Sequence, residues 1–256
     1  MENFTGFSDM EKLRLDGLVS KSRKYHAPKE NFALEGSKPD YCHVIISGLA
    51  CRYKMLPNGE RQILAFLIPG DLCDAEIFIV SKLDHSIAAM IPTTTALISP
   101  EVMKLLLRET SSLGEALWWG TLTDLAVLRE RIVGGRRSAF VRIAHLLYEM
   151  LVRYRMVNLT NGDSFEFPIT QVDLADATAI TPIHANRMLQ KLKSDGLIKF
   201  FGGVVTVINV SRLKYVAQFS GAYLHLDRVH SGADAGCRAV DLGLGPIKGI
   251  HSTVRM

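Results

Sequence analysis

The segment from residue 167 to residue 210 constrains the fold more strongly than any other part of the sequence. Thr170 can cap a short helix, and Asp173 then lies in its first turn, where the positive end of a helix favours an acid. Thr181 can cap a second helix that begins with Pro182, because a proline in the first turn loses no hydrogen bond. The sequence therefore predicts two helices in close succession.

The residues around these two helices complete a motif. Ala179-Ile180 leaves room only for a tight turn between them, and Gly196 ends the second helix. The apolar run that follows, LIKFFGGVVTVINV, predicts a two-stranded hairpin that turns at Gly202-Gly203. Two helices, a short turn and an adjacent β-wing are typical of a winged helix-turn-helix that binds DNA. A winged helix that binds another protein is the alternative.

The outward face of the second helix carries the side chains that could read DNA. Short polar and basic groups near the N-terminus of such a helix fit the major groove. Arg187 is the expected guanine contact, since its guanidinium can donate two hydrogen bonds to one base edge. Pro182, Ile183 and His184 are expected to shape the adjacent readout. Contacts to phosphates are expected from Thr170, Gln171, Thr181, Gln190 and Lys191.

Residues 25–99 form a series of short apolar runs separated by turn signals. Runs at a spacing of about ten residues predict an all-β sandwich or roll. Pro57-Asn58-Gly59 lies between two runs and predicts a hairpin, because Asn and Gly tolerate positive φ. The runs are YCHVIIS, LACRYKML, RQILAFLI, IFIV and TALIS.

Residues 101–133 contain no proline and predict one long amphipathic helix. Its apolar stripe is wider than a solvent-facing helix needs, which favours a coiled-coil-like homodimer; packing on its own β-roll is the alternative. Gly134-Gly135 then predicts a hinge. The residues expected to form the dimer contact are Leu113, Leu117, Trp118, Leu122, Leu125, Leu128 and Ile132.

These patterns divide an α+β chain into four parts. Residues 1–135 hold 15 Lys and Arg against 17 Asp and Glu, whereas residues 136–220 hold 11 against 6, so the positive charge lies where DNA would be met. The four parts are a β-roll sensing domain (1–107), a dimerisation helix with its hinge (108–135), a winged helix-turn-helix domain (136–220) and a Gly-, Ala- and Ser-rich tail expected to be disordered (221–256).

The remaining composition narrows the class of protein. No apolar stretch is long enough to span a membrane, and the N-terminus lacks a signal-peptide core, so a cytoplasmic protein without a membrane partner is expected. The four cysteines form no C-x-x-C pair and predict no metal site. A metal-dependent β-roll enzyme would need a His-x-His, which residues 25–99 lack. The chain is therefore not expected to be an enzyme; a signalling module that does not bind DNA is a further alternative.

The order of these segments over residues 20–215 resembles the catabolite activator/FNR superfamily of bacterial regulators. The resemblance is carried by Ser47-Gly48, by Pro69-Gly70-Asp71, by the long helix and by ITQVDLADATAITPIHANRMLQKLKSDGLI. It implies a cyclic-nucleotide-binding-like roll with a small effector, a homodimer, a palindromic operator and RNA polymerase as a partner. Arg187 falls on the base-reading arginine of the family.

Three positions of the motif depart from that family. Pro182 and Ile183 replace residues that are often Arg or Ser and Glu, so a different operator is expected. Ala179 stands at a turn position usually filled by Gly, and a left-handed conformation there would cost about 1–2 kcal/mol.

The sensor region departs further. Cyclic-nucleotide members of the family hold the ligand with a Gly-Glu pair and an Arg-Ser pair, where this chain has Asp74-Ala75 and His85-Ser86. Asp74 would repel a phosphate and a neutral His85 lacks the bidentate fork of arginine, so cAMP is not expected and the effector is unknown. Glu76 could be a shifted ribose ligand, and Trp118 could belong to the pocket instead of the dimer contact. The candidate effector residues are Asp74, Ala75, Glu76, His85, Ser86 and Trp118.

Redox cofactors find little support in the sequence. An iron-sulfur centre of the oxygen-sensing branch needs clustered N-terminal cysteines, and residues 1–41 contain none. Histidines in the roll leave haem open, although such residues are more often hydrogen-bonded and structural. These histidines are His26, His43 and His85, and the roll cysteines expected to be small buried hydrophobes are Cys42, Cys51 and Cys73.

Overall fold

The N-terminal domain is a β-roll of two antiparallel four-stranded sheets. The computed structural model describes residues 7–74 and 79–225. One sheet has the strand order β1-β8-β3-β6 and the other β2-β7-β4-β5, which confirms the predicted roll. The strands are β1 (Arg23–His26), β2 (Asn31–Ala33), β3 (Cys42–Ser47), β4 (Ala50–Met55), β5 (Arg61–Leu67), β6 (Leu72–Cys73), β7 (Ser86–Ala89) and β8 (Thr93–Ile98).

Two turns of the roll show why its sequence signals are specific. Strands β4 and β5 pair through the predicted hairpin, but only Gly59 has a positive φ there, of 84°. Gly48 has a φ of 96°, and a Cβ at this position would lie 2.5 Å from the carbonyl oxygen of Pro92, so only glycine fits. The predicted run IFIV is not a strand where it is described: residues 77–78 lie outside the described residues, and residues 79–80 are irregular.

The long helix predicted over residues 101–133 is two helices. Helix α1 (Asp9–Lys21) precedes the roll, and α2 (Pro100–Glu109) and α3 (Ser111–Gly134) follow it. Thr110 is extended between α2 and α3, with φ −133° and ψ 94°. The break lets both helices bury apolar residues in one cluster against the roll, which outweighs helix propensity. This cluster contains Phe7, Cys42, Ile98, Met103, Leu106, Leu113 and Ala116.

The C-terminal domain is a winged helix-turn-helix. Strand β11 pairs with both β10 and β9, so the predicted two-stranded wing has a third strand. The elements are α4 (Ala139–Met156), β9 (Ser164–Glu166), α5 (Gln171–Thr178), α6 (Pro182–Ser194), β10 (Ile198–Phe201), β11 (Val204–Val207) and α7 (Val210–Val216).

The tail begins later than predicted. Residues Gly221–Leu224 form a 3-10 turn in which Leu224 is buried, and the ring of His225 lies 5.3 Å from that of Trp119. The disorder expected from residue 221 is therefore wrong for residues 221–225, because apolar and aromatic side chains anchor this turn to α3 and α4. The rest of the predicted tail, residues 226–256, lies outside the described residues.

The two domains share a continuous hydrophobic core, in which the ring of Phe66 meets that of Phe167 edge to face at 4.9 Å. Ion pairs border this contact. Arg153 of α4 donates to Asp71 at 2.6 Å, and Arg61 of β5 donates to Asp173 at 2.5 Å and to Asp176 at 2.8 Å. In the described part of the chain, no helix is long and apolar enough to cross a bilayer.

Candidate nucleic-acid interface and sensor region

Both helices of the predicted motif begin and end where the sequence indicated. The Thr170 hydroxyl accepts from the Asp173 amide at 3.1 Å, and the Asp173 carboxylate accepts from the Thr170 amide at 2.8 Å, which forms a capping box. Ala179 is left-handed, with φ 53° and ψ 52°, as expected for the turn position. The Thr181 hydroxyl accepts from the His184 amide and caps α6.

Helix α6 buries one face and presents the other to solvent. Ala185, Leu189 and Leu192 pack into the domain core, which fixes the orientation of the helix. Ile183 is 85% exposed and Arg187 is exposed. Arg187 forms no ion pair or hydrogen bond with any residue that the structure describes, so its guanidinium is free to meet a base. Gln171, Thr181, Pro182 and Gln190 are also exposed, and His184 is half-buried.

Three of the expected phosphate contacts already have partners, and Gln190 Nε2 donates to Asn186 Oδ1 at 3.4 Å. The Thr170 hydroxyl donates to the Asp173 carboxylate at 2.7 Å, so it has to give up this hydrogen bond to donate to a phosphate. Lys191 lies 3.1 Å from Asp195 and 5.4 Å from the ring centre of Phe140. Because the Lys191–Asp195 pair is exposed, it is weak and can be exchanged for a phosphate.

The wing lies beside the start of α5. The Phe167 amide donates to the Gly203 carbonyl at 2.7 Å, and a Cβ on Gly203 would lie 2.9 Å from the Cβ of Pro168. This close approach explains the second glycine of the turn. Phe201 at the wing tip is 91% exposed, a position that the sequence pattern did not single out.

The predicted effector residues of the roll form a closed polar cluster. Asp74 is buried with φ 58°, and its carboxylate lies 2.9 Å from His85 Nε2. His85 Nδ1 lies 2.7 Å from Asp84, and the Ser86 hydroxyl accepts from the Glu35 amide at 2.9 Å. Burial lowers the pKa of His85, but its hydrogen bonds to Asp74 and Asp84 outweigh this effect and raise the pKa above the usual value.

The predicted effector pocket stays a prediction. Asp74 and His85 lie within hydrogen-bond distance of each other, and the Ser86 hydroxyl accepts from a backbone amide. None of the three lines the cavity between β5 and α3 or the cavity where the two domains meet. Ala75 and Glu76 lie outside the described residues. Trp118 is 66% exposed and lines neither cavity, which favours its role in the dimer contact.

The other roll histidines are structural, as expected. His26 lies 3.1 Å from Glu30 and 3.0 Å from the Thr95 hydroxyl, and His43 lies 3.2 Å from the same hydroxyl. Burial lowers the pKa of His43 to about 4. Within residues 7–74 and 79–225, no group of three or more His, Cys, Asp or Glu has the geometry of a metal site. Cys42, Cys51 and Cys73 are buried, as predicted.

A cavity of about 460 Å³ lies between β5 and α3. Its charged groups are paired with one another: Arg52 lies 3.2 Å from Asp124, and Arg153 lies 2.6 Å from Asp71. Leu125 and Leu128 of α3 also line it. The cavity therefore offers mainly apolar surface beside the predicted dimer contact.

Comparison with known proteins agrees with this geometry. Residues 23–110 match the cyclic nucleotide-binding domain, and residues 141–216 match the Crp-like helix-turn-helix domain. The chain belongs to the catabolite activator/FNR superfamily of bacterial transcription regulators. It is a DNA-binding transcription regulator and not an enzyme.

Relatives within the superfamily match most of the chain. The transcriptional activator protein FnrL of Cereibacter sphaeroides is 27% identical over 202 residues, which cover 76% of this chain and 79% of FnrL. The nitrogen fixation regulation protein FixK of Rhizobium meliloti is 27% identical over 176 residues, 68% of this chain and 76% of FixK. The structure of FixK2 from Bradyrhizobium japonicum has the same fold, with a TM-score of 0.70 at 24% identity over 78% of this chain and 98% of FixK2.

Sequence reasoning missed one group of polar residues that this superfamily member buries between its domains. Arg142 and Glu149 lie on the inward side of α4, and Arg131 faces them from the end of α3. A signal was present, since Arg142, His145, Leu146 and Glu149 follow a helical spacing of three and four residues. Charged residues on such a stripe indicate either a buried ion pair or a ligand.

Proposed function

We propose that the chain acts as a homodimer whose two recognition helices, α6, read the half-sites of a palindromic operator. The observation that supports this most is the free, exposed Arg187 on a helix whose opposite face is locked into the core. An arginine held in this way can donate to guanine N7 and O6. The net positive charge of residues 136–220 adds attraction for the phosphate backbone.

The dimer contact is proposed along α3. Exposed residues on this helix follow alternating steps of three and four, which is the spacing of a coiled-coil seam. Trp118 is 66% exposed and Ile132 is 77% exposed. A row of large exposed apolar side chains is typical of a surface that a partner covers. The revised dimer seam consists of Trp118, Thr121, Leu125, Leu128 and Ile132.

This seam differs from the set expected from the sequence. Leu113 is buried in its own roll cluster and cannot reach a partner, and Leu117 and Leu122 are half-buried. The seam passes through Thr121 and not Leu122, because Thr121 is exposed whereas Leu122 is half-buried against its own chain.

The regulator is further proposed to respond to a small molecule and to contact RNA polymerase in the cytoplasm, as the superfamily implies. The pairing of His85 with Asp74 and Asp84 argues against cAMP as that molecule, because a histidine lacks the bidentate fork of an arginine and both carboxylates would repel a phosphate. Isothermal calorimetry with cAMP is expected to show no saturable heat; micromolar binding would contradict this part of the proposal.

Readout by α6 is tested by selecting binding sites from random duplexes. Arg187→Ala is expected to cost about 1–3 kcal/mol per half-site and to relax the preference at one base position. Lys191→Ala, the matched control further along α6, is expected to weaken all sequences equally and to lower the salt dependence by about one counterion. A base preference that survives Arg187→Ala at every position would refute the proposed readout.

The dimer seam is tested by analytical ultracentrifugation. Trp118→Asp combined with Leu125→Asp is expected to give monomers that no longer bind the palindrome, because two charges would be buried without partners. Leu105→Asp, on the exposed face of α2, is the control and is expected to stay dimeric. A dimeric double variant with unchanged affinity would place the interface elsewhere.

A further inference from the structure

A second cavity of about 440 Å³ lies where the two domains meet. We call it the junction cavity. Its walls are β5, the end of α3, the inward side of α4 and residues 177–179 at the end of α5. Its volume is within the range of small-molecule sites. It adjoins Ala179, the left-handed residue that sets the turn before the recognition helix.

The charged groups of the junction cavity are poorly satisfied. Glu149 is 2% exposed; its Oε2 accepts from the Tyr223 hydroxyl at 2.7 Å, but its Oε1 has no hydrogen bond within the described chain. Arg131 Nη2 lies 3.9 Å from that oxygen, which is too far for a hydrogen bond. Only Arg131 Nη1 has a contact, at 3.4 Å from the Ala177 carbonyl, whereas its Nε and Nη2 are buried without one.

The side chain of Arg142 is half-buried and forms no hydrogen bond with a described residue. Its Nε is buried without a hydrogen bond, and no carboxylate among the described residues pairs with its guanidinium. In the same wall the neighbouring Arg137 does have a partner, because its Nη2 lies 2.6 Å from a carboxylate oxygen of Glu130. Buried charged donors without acceptors are rare in folded proteins and call for a specific explanation. A bound anion supplies one.

The charge and the lining of the junction cavity define the class of anion. The Arg137–Glu130 pair is neutral, so two arginines face the single carboxylate of Glu149 and leave one positive charge. Burial lowers the pKa of His145, which keeps this residue neutral. A monoanion balances that charge, whereas a phosphate dianion would be repelled by Glu149. The rest of the wall is apolar and includes Ile63, Leu64, Leu128, Ile132 and Leu146.

We propose that the junction cavity binds a small organic monocarboxylate, with the carboxylate held by Arg131 and Arg142 and an apolar body against β5 and α3. The planar guanidinium matches a carboxylate through paired hydrogen bonds. Because the same wall includes residues 177–179, an occupied cavity holds the end of α5 against α3. Occupancy then changes the orientation of α6 toward DNA, a consequence that rests on the proposed function.

The proposal is tested on the full chain with cyclohexanecarboxylate as the probe. Isothermal calorimetry is expected to show saturable binding of one probe per chain. Its neutral amide, cyclohexanecarboxamide, and inorganic phosphate are expected to bind at least about tenfold more weakly, because they lack the matching charge. Equal binding of the acid and the amide would overturn the proposal.

Substitutions locate the site. Arg131→Gln and Arg142→Gln are each expected to weaken the binding of cyclohexanecarboxylate by at least about tenfold. Arg129→Gln and Arg136→Gln are the matched controls, since both residues are exposed, lie within a few positions of the site and do not line the cavity. Affinity that is unchanged in the first two variants, or reduced equally in all four, would overturn the assignment.

A measurement on the unaltered chain removes any dependence on how the variants fold. In ¹⁵N spectra of arginine side chains, the Nε–H signals of Arg131 and Arg142 are expected to move on addition of the probe while that of Arg129 stays fixed. Fixed signals for Arg131 and Arg142 would overturn the site. Gel-shift assays with and without the probe then test the coupling separately. A confirmed site with unchanged DNA affinity would overturn the coupling alone, whereas a chain that binds no DNA either with or without the probe would overturn the proposed function.

Discussion

The roll and the domain junction each bury a cluster of charged groups, and the two clusters are built in opposite ways. In the roll, His85 lies between Asp74 and Asp84 within hydrogen-bond distance of both. At the junction, Arg142 and Glu149 each leave a buried polar atom without a described partner. A satisfied cluster holds one shape, whereas an unsatisfied one gains stability when a ligand supplies the missing atoms. The contrast separates a structural cluster from a binding site.

The largest expected effect concerns the roll cluster. Below pH 6.5, where His85 is charged, Asp74→Ala is expected to lower the free energy of unfolding by about 3–5 kcal/mol, because it removes the buried carboxylate partner of this histidine at a left-handed position. Asp84→Ala removes the exposed partner of the same histidine and is expected to cost at most about 0.5 kcal/mol. Urea denaturation measures both. Equal losses in the two variants would show that burial does not distinguish these carboxylates.

The next expected effect is the change in the free energy of unfolding as the pH falls. The pKa shifts of the roll histidines determine whether each histidine stabilises or destabilises the fold in acid. His43 titrates near 6.5 when unfolded and near 4 when folded, so the unfolded chain binds more protons between these values. Stability from this group is present above pH 6.5 and is lost as the pH falls to 4, by about 3 kcal/mol. His43→Gln is therefore expected to flatten this part of the profile.

His85 has the opposite sign. Its pKa is raised, so its contribution is present below pH 6.5 and is lost as the pH rises through the folded value. His145 at the junction has a lowered pKa, like His43, so part of the acid loss is expected to remain in His43→Gln. Urea midpoints between pH 4 and pH 8 measure all three contributions. A profile of His43→Gln parallel to that of the unaltered chain would contradict the buried, neutral state of His43.

The smallest effect compares two arginines at the domain interface. Arg61→Met removes two partly buried ion pairs with α5 and is expected to lower the free energy of unfolding by about 1 kcal/mol. Arg142→Met removes a half-buried charge without a described partner and is expected to cost nothing or to stabilise the ligand-free chain, because a buried Nε that lacks a hydrogen bond disappears. Thermal unfolding distinguishes them. Clear destabilisation by Arg142→Met would indicate a structural role for Arg142, and the junction would then not differ from the roll cluster in this respect.

The helix-turn-helix could be predicted from the sequence almost to the residue, because its boundaries depend on local chemistry. Thr170 and Thr181 cap their helices through contacts three residues away, and Pro182 can stand only near a helix start. The hairpin at Asn58-Gly59 and the glycine of Ser47-Gly48 were recognisable for the same reason.

Features set by distant contacts could not be predicted. The break at Thr110 depends on how α2 and α3 share a cluster with Phe7 and Ile98, and no local residue marks it. The pairing of Asp74 with His85 crosses eleven positions, and no local feature of the sequence indicates it. The junction cavity needs four elements to meet, so its arginines looked in the sequence like ordinary members of amphipathic helices.

The edge-to-face contact of Phe66 with Phe167 limits how this regulator can be engineered. A chimera that joins the roll of one regulator to the DNA-binding domain of another would ordinarily be joined at a glycine linker such as Gly134-Gly135. In this chain such a cut would separate two halves of one core. It would also leave Arg61 without its ion-pair partners Asp173 and Asp176. A workable exchange has to carry strand β5 together with the DNA-reading part, so the portable unit is larger than the domain boundary suggests.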